Sequence, residues 1–218
     1  MNILEVNSSN LVLEDKVCKL EINLEKLELE VNGNVCIYDI NRCKNLELNI
    51  IVNDNSSLTY YMYSNNNFET KIINIDNKSK SKTNFNYSFI NDKDCKLEIN
   101  NNIVDSDINS DIKVRGVAKN KSNIIIDSNG YVKKDTLNNE FNEDLRGLNL
   151  DDGIVKIYPN MYIDSNDVIA NHNSTIGNVN KNYLFYLNSK GIDNETSTKL
   201  IVDGFINSVL DDNMKEYL

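Results

Sequence analysis

From residue 18 to about residue 170, apolar side chains recur at every second position. Leu20, Ile22 and Leu24 alternate with polar residues, and after a phase slip at Glu25-Lys26 so do Leu27, Leu29 and Val31. The pattern returns in Leu46, Leu48, Ile50 and Val52, in Leu58, Tyr60 and Met62, and in Phe85, Tyr87 and Phe89. Cys95, Leu97 and Ile99 repeat it, as do Ile112 and Val114. Successive side chains of a strand point to opposite faces, so a two-residue period held this long dictates strands with one face buried. The breaks are clusters of Asn, Asp, Ser and Lys, such as "SNNN" at 64–67 and "DNKSKSK" at 76–82, which suit turns. Most of the chain is therefore predicted to be β.

Short strands at roughly regular spacing allow a sandwich, a barrel or a stacked solenoid. Gly33 is the one glycine of the first hundred residues, and it carries the one Asn-Gly turn signal there. Few tight-hairpin signals and many asparagines at the breaks lean toward a solenoid. Asparagine tolerates left-handed backbone at corners and bonds to its own neighbourhood. After Gly177 the period changes. The stretch "NKNYLFYLNSKGI" (180–192) predicts a short helix with Leu184 and Leu187 on one face and Gly191 as its C-terminal cap. Asp193 then caps a second helix running to about Leu210, with Glu195 in its first turn and Leu200, Ile201, Phe205 and Val209 at helical spacing. The predicted division is a β core over 1–178 and a helical subdomain over 179–218.

Composition removes several classes of function. A chain of 218 residues, 40% of them apolar, can bury a real core in one domain. No apolar run approaches the ~20 residues of a spanning helix. The N-terminus has no basic segment leading into an apolar stretch, so a cytoplasmic protein without a signal peptide is expected. The net charge of -10 argues against nucleic acid and against anionic membrane surfaces as partners. Cys18, Cys36, Cys43 and Cys95 show no CxxC spacing, so a preformed zinc site is not expected. Cys18 and Cys95 each open the hexapeptide "CKLEIN", where they read as small buried hydrophobes. No GxxxxGK[ST] loop is present, so no nucleotide is expected to bind this chain. Acidic pairs such as Asp105/Asp107 and Asp151/Asp152 fit glycoside cleavage on paper. In a chain with 33 acidic residues such pairs arise by chance, and no enzyme is expected.

His172 is the single histidine, set in "NDVIANHNSTIG" (166–177). A neutral imidazole can bind iron or zinc, and it can equally serve as a hydrogen-bonded structural group. The surrounding residues carry more. "PNMYIDSNDVIANHNSTIGNVNKNYLFYLNSKGI" (159–192), followed by "LIVDGF" (200–205), resembles the C-terminal half of the SufB/SufD family of iron–sulfur cluster assembly proteins. The matching positions are Pro159, Asp167-Val168, His172, Thr175, Gly177, Leu184-Phe185-Tyr186-Leu187, Gly191 and Gly204-Phe205. The resemblance extends more loosely back to Ile124, through "IIIDSNGYV" and "LRGLNLDD". It is to a short core, without the N-terminal helical region of longer members. The resemblance implies a cysteine near the end of the β-helix in SufB-like members, and with none in 96–218 the chain looks more SufD-like.

The resemblance implies a right-handed parallel β-helix with a C-terminal helical subdomain, acting as a noncatalytic scaffold. It implies pairing with a second β-helix subunit, either a SufB-like chain or a second copy, and docking of a SufC-like ABC ATPase. His172 would handle iron or a transient iron–sulfur cluster together with a partner subunit, with Asp167, Asn171 and Thr175 supporting its ring. The ATPase would meet Tyr183, Phe185, Tyr186, Lys190, Gly191, Ile192, Leu200 and Phe205. Lys190 stands where the family has arginine, keeping the charge and losing the bidentate fork. The competing reading, from strand pattern and acidity alone, is a β-solenoid that binds or cleaves carbohydrate. The absence of tryptophan weighs against it, since sugar platforms rely on stacking rings.

Overall fold

The computed structural model describes residues 3–215. Its strands are β1 (Ile3–Val6), β2 (Asn10–Ile22), β3 (Lys26–Ile40), β4 (Asn45–Val52), β5 (Ser57–Ser64), β6 (Thr70–Asn77) and β7 (Lys82–Asn91). They continue as β8 (Cys95–Ile103), β9 (Asn109–Ala118), β10 (Asn123–Val132), β11 (Asn139–Asn149), β12 (Ile154–Ile163) and β13 (Val168–Asn178). Helices α1 (Lys181–Ser189), α2 (Asn194–Asn207) and α3 (Asp212–Lys215) follow. Every described strand pairing is parallel. Even-numbered strands from β4 to β12 stack into one wall and odd-numbered strands from β5 to β13 into the other. Strand β3 belongs to both walls, its first half pairing with β4 and its second with β5. The chain thus climbs as a parallel β-helix with two strands per rung, the solenoid among the three architectures the strand pattern allowed.

The corners explain the asparagines. Asn55, Asn67, Asn120, Asn138, Asp15, Asp107, Asp135 and Asp151 all have positive φ, joined only by Lys80 and Lys121 among non-glycine residues described. The left-handed region penalises a Cβ, and short polar side chains bear that penalty best by bonding locally. At the first bend Gly33 (φ 66) is required twice over: a Cβ there would collide with the Asp15 carboxylate, which accepts the Asn34 N–H at 2.8 Å.

A second use of asparagine lies on the outer face of the even wall. Asn49, Asn74, Asn100, Asn129 and Asn160 occupy one column in strand register. Each side-chain amide donates to the carbonyl one rung below, at 2.6, 2.8, 3.1 and 3.1 Å, and Asn49 donates to Glu28 at 2.8 Å. Parallel in-register stacking brings identical amides to hydrogen-bonding distance. The rung lengthens along the ladder, from 21 residues to 25, 26, 29 and then 31.

The inner faces form one core. Leu58, Tyr60, Met62, Phe85, Tyr87, Phe89, Leu97 and Ile99 are fully enclosed, as their parity predicted. Cys18 and Cys95 are buried in it, whereas Cys36 and Cys43 are only half-buried. Within this apolar interior lie two ionisable groups, Asp39 and Lys71, both without solvent contact. Asn41 links them, donating to Asp39 Oδ2 at 3.1 Å and accepting from Lys71 Nζ at 2.7 Å. Lys71 also donates to Ser64 Oγ at 2.6 Å and lies over the Phe68 ring at 4.7 Å, while Tyr60 donates to Asp39 at 3.0 Å. Burial pushes the Asp39 carboxyl up to about 6 and the Lys71 ammonium down to about 7, each opposed by the other's charge.

The helices pack on the outside of the odd wall. Val202, Ile206, Leu210 and Met214 bury against Tyr38, Tyr63, Val117 and Leu148. Helix α2 therefore turns Val202 and Ile206 inward and leaves Leu200 exposed, a rotation from the stripe expected through Leu200 and Ile201. Polar groups of the wall complete the seat: Ser88 donates to the Ile206 carbonyl at 2.8 Å and Tyr38 OH to Asp211 at 3.3 Å. Buried Arg115 donates to Ser208 at 3.1 Å and, through both terminal nitrogens, to the Asp144 carbonyl at 2.9 Å and carboxylate at 2.6 Å. No described helix is long and apolar enough to cross a membrane.

Candidate functional site at the open end of the solenoid

Strands β12 and β13 form the last described rung, and each pairs on one side only, with β10 and β11. Side chains on its inner face lie under no described strand. On the inward parity Ile157, Pro159, Met161 and Ala170 are half-buried and Ile163 and Ile176 exposed, which makes the end apolar. Tyr131 and Tyr162 stack on the outer face at 4.8 Å between ring centres.

His172 sits in β13 directly above Glu143 of β11, which in turn sits above Ile112 of β9. Ile112 and Glu143 point inward, so His172 shares the inner face and is exposed because no described element caps the rung. Glu143 is only 3% exposed. Ser128 donates to its Oε1 at 2.6 Å, and its Oε2 is buried with no partner among the described residues. Burial raises the Glu143 pKa, while the Ser128 hydroxyl and His172 pull it back down.

The other residues named around His172 are engaged elsewhere. Asp167, at the corner before β13, accepts the Asn138 N–H at 2.9 Å. Asn171 has the opposite parity to His172 and donates to Asn142 at 2.9 Å, which donates to Asp111. Thr175 also has the outward parity and stacks above Arg146. Asn173 faces the Asp144 carboxylate at 3.5 Å, and that carboxylate is the one gripped by Arg115 and Arg146. The residue that the sequence reading missed is Glu143. Its signal was an acid on the inward parity of "NEFNEDL" (139–145), one rung before the histidine. Among the described residues, no three His, Cys, Asp or Glu side chains converge on one point.

Beyond the rung the chain turns out onto the helices. Asn180 caps α1 by accepting the Asn182 N–H, and Asp193 caps α2 by accepting the Thr196 N–H at 2.9 Å. Gly191 (φ 86) follows the end of α1 in the left-handed conformation. No residue of α1 is buried, and Tyr183, Phe185 and Tyr186 are 62%, 75% and 59% exposed. Lys190 lies over the Tyr186 ring at 5.6 Å, Ile192 and Phe205 are half-buried, and Leu200 is exposed. The helix pair thus presents an aromatic surface that no described residue covers.

Residues 74–205 match the family model described as "SUF system FeS cluster assembly, SufBD core domain". The match runs from β6 into α2, well upstream of the region where the resemblance was first legible. No curated protein matches the chain.

Proposed function

The chain belongs to the SufB/SufD family of SUF iron–sulfur cluster assembly proteins, and on that premise we propose that it is a noncatalytic scaffold subunit. In this reading the open rung pairs with a second β-helix subunit, and α1 with the exposed part of α2 docks a SufC-like ABC ATPase. The observation that carries the reading is the pair of apolar surfaces left uncovered among the described residues, the inner face of the last rung and α1, with the single histidine on the first of them. Large exposed patches of this kind mark interaction sites. Iron or a nascent cluster is the cargo, and His172 is its contact on this chain.

Movement of the docked ATPase would reach the rung through the α2 seat. Arg115 ties Ser208, just past α2, to Asp144, and Asp144 lies beneath Asn173, the neighbour of His172. The competing carbohydrate reading loses its support to the family match.

His172→Ala tests the role of the imidazole. In a co-expressed complex the variant is expected to lower cluster yield at least tenfold while the subunits still co-purify. Loss of the complex itself would assign His172 a structural role. An unchanged cluster yield would remove it from cargo handling.

A further inference from the structure

Glu143 stands apart from the other buried polar groups of the solenoid end. A carboxylate that is 3% exposed ordinarily has both oxygens satisfied, because an unpaired buried acceptor costs about 1–3 kcal/mol. Here Ser128 holds one oxygen, and the other is buried with no donor among the described residues. The rung above supplies no donor in that column of the even wall, since Pro159, stacked on Ser128, has neither a polar side chain nor an N–H. On the odd wall the residue stacked on Glu143 is His172.

We propose that His172 and Glu143 together bind a single divalent first-row transition-metal ion at the open end of the solenoid. This deepens the reading of His172 as a cargo contact and rests on it. The imidazole supplies one nitrogen and Glu143 Oε2 one oxygen, with the remaining coordination positions open above the rung. An imidazole and carboxylate pair suits Fe(II), Zn(II), Mn(II) or Co(II). It does not suit a cuprous ion, which prefers thiolate. Ser128 fixes the carboxylate by holding Oε1, as hydrogen bonds to metal ligands generally do. The chain then contributes two adjacent donors to the interface, one of them hidden until the rung is viewed along the stack.

Zinc alone is a sufficient probe, because the chain has one histidine and therefore one imidazole ring to give a signal in a nitrogen-15 spectrum. Adding Zn(II) to the full chain is expected to shift that signal saturably. Glu143→Gln and His172→Ala should each weaken zinc binding at least ~10-fold in calorimetry. Glu143→Asp, which keeps the charge and withdraws the carboxylate by one methylene, should weaken it as well and serves if the glutamine variant does not fold. Zinc binding undiminished in either Glu143 variant overturns the pair. If His172→Ala alone loses zinc, the pair is refuted and the imidazole's role as a cargo contact still stands. If the pair binds zinc as described but His172→Ala leaves cluster yield unchanged, the metal site stands and the cargo reading falls.

Discussion

Replacing Lys71 with methionine is expected to destabilise the protein by about 3–5 kcal/mol, because it strands Asp39 in the core without a cation. Asp39 is fully buried, one of its oxygens already has no partner, and the network around it was built for a charge pair. The sign of the pH dependence follows from the same geometry. Burial already raises the Asp39 pKa to about 6, and Lys71 is the strongest force holding it down. Without Lys71 the folded-state pKa climbs further above that of the unfolded chain. A group with a raised folded pKa loses its stabilising contribution as pH rises through that value. The penalty of the substitution should therefore be larger at pH 8 than at pH 5, growing by up to ~1.4 kcal/mol per pH unit from the parent's folded pKa of about 6 up to the variant's shifted pKa, and levelling off beyond it. Urea unfolding at both pH values reads this directly. The double variant Asp39→Leu with Lys71→Met removes both charges and should recover most of the loss, since apolar replacement of a buried pair is often neutral or stabilising. A Lys71→Met protein as stable as the parent at pH 8 would contradict the buried pair.

Substituting Phe185 and Tyr186 together by glutamate is expected to abolish ATPase docking without unfolding the chain. Neither side chain is buried, and α1 contributes no buried residue to the structure. Surface changes of this kind usually move stability by no more than about 0.5 kcal/mol. Aromatic anchors at a protein interface, by contrast, carry about 2 kcal/mol or more each, so the affinity for a SufC-like ATPase should fall at least ~100-fold. Calorimetry of the purified subunits would measure that loss, with thermal unfolding of the variant as the control. Full affinity in the double variant would move the docking surface elsewhere.

The strand pattern was legible because parity is a local property: Leu58, Tyr60 and Met62 announce a buried face wherever the strand ends up. The helix caps at Asp193 and Gly191 were legible for the same reason. What stayed hidden depends on the rung. The asparagine ladder from Asn49 to Asn160 shows no fixed period, since its spacing drifts from 25 to 31 residues as the solenoid widens. Glu143 was hidden likewise, because its relation to His172 spans a full rung and only strand register reveals it. The rotation of α2 was set by the wall it packs on. Tyr38, Val117 and Leu148 choose Val202 and Ile206, which sit a fraction of a turn from the stripe that hydrophobicity alone selects. The asparagine-rich corners were read correctly in kind, while the outer-face use of the same residue was unforeseen.

The account stands or falls on whether this chain assembles with an ATPase and carries iron. Anaerobic co-expression with a SufC-like ABC ATPase, followed by native mass and iron analysis of the purified material, puts both to one test. The scaffold reading predicts a stable complex containing the ATPase and a second β-helix subunit, with iron that is lost in His172→Ala. A chain that purifies alone, without ATPase and without iron, would contradict it.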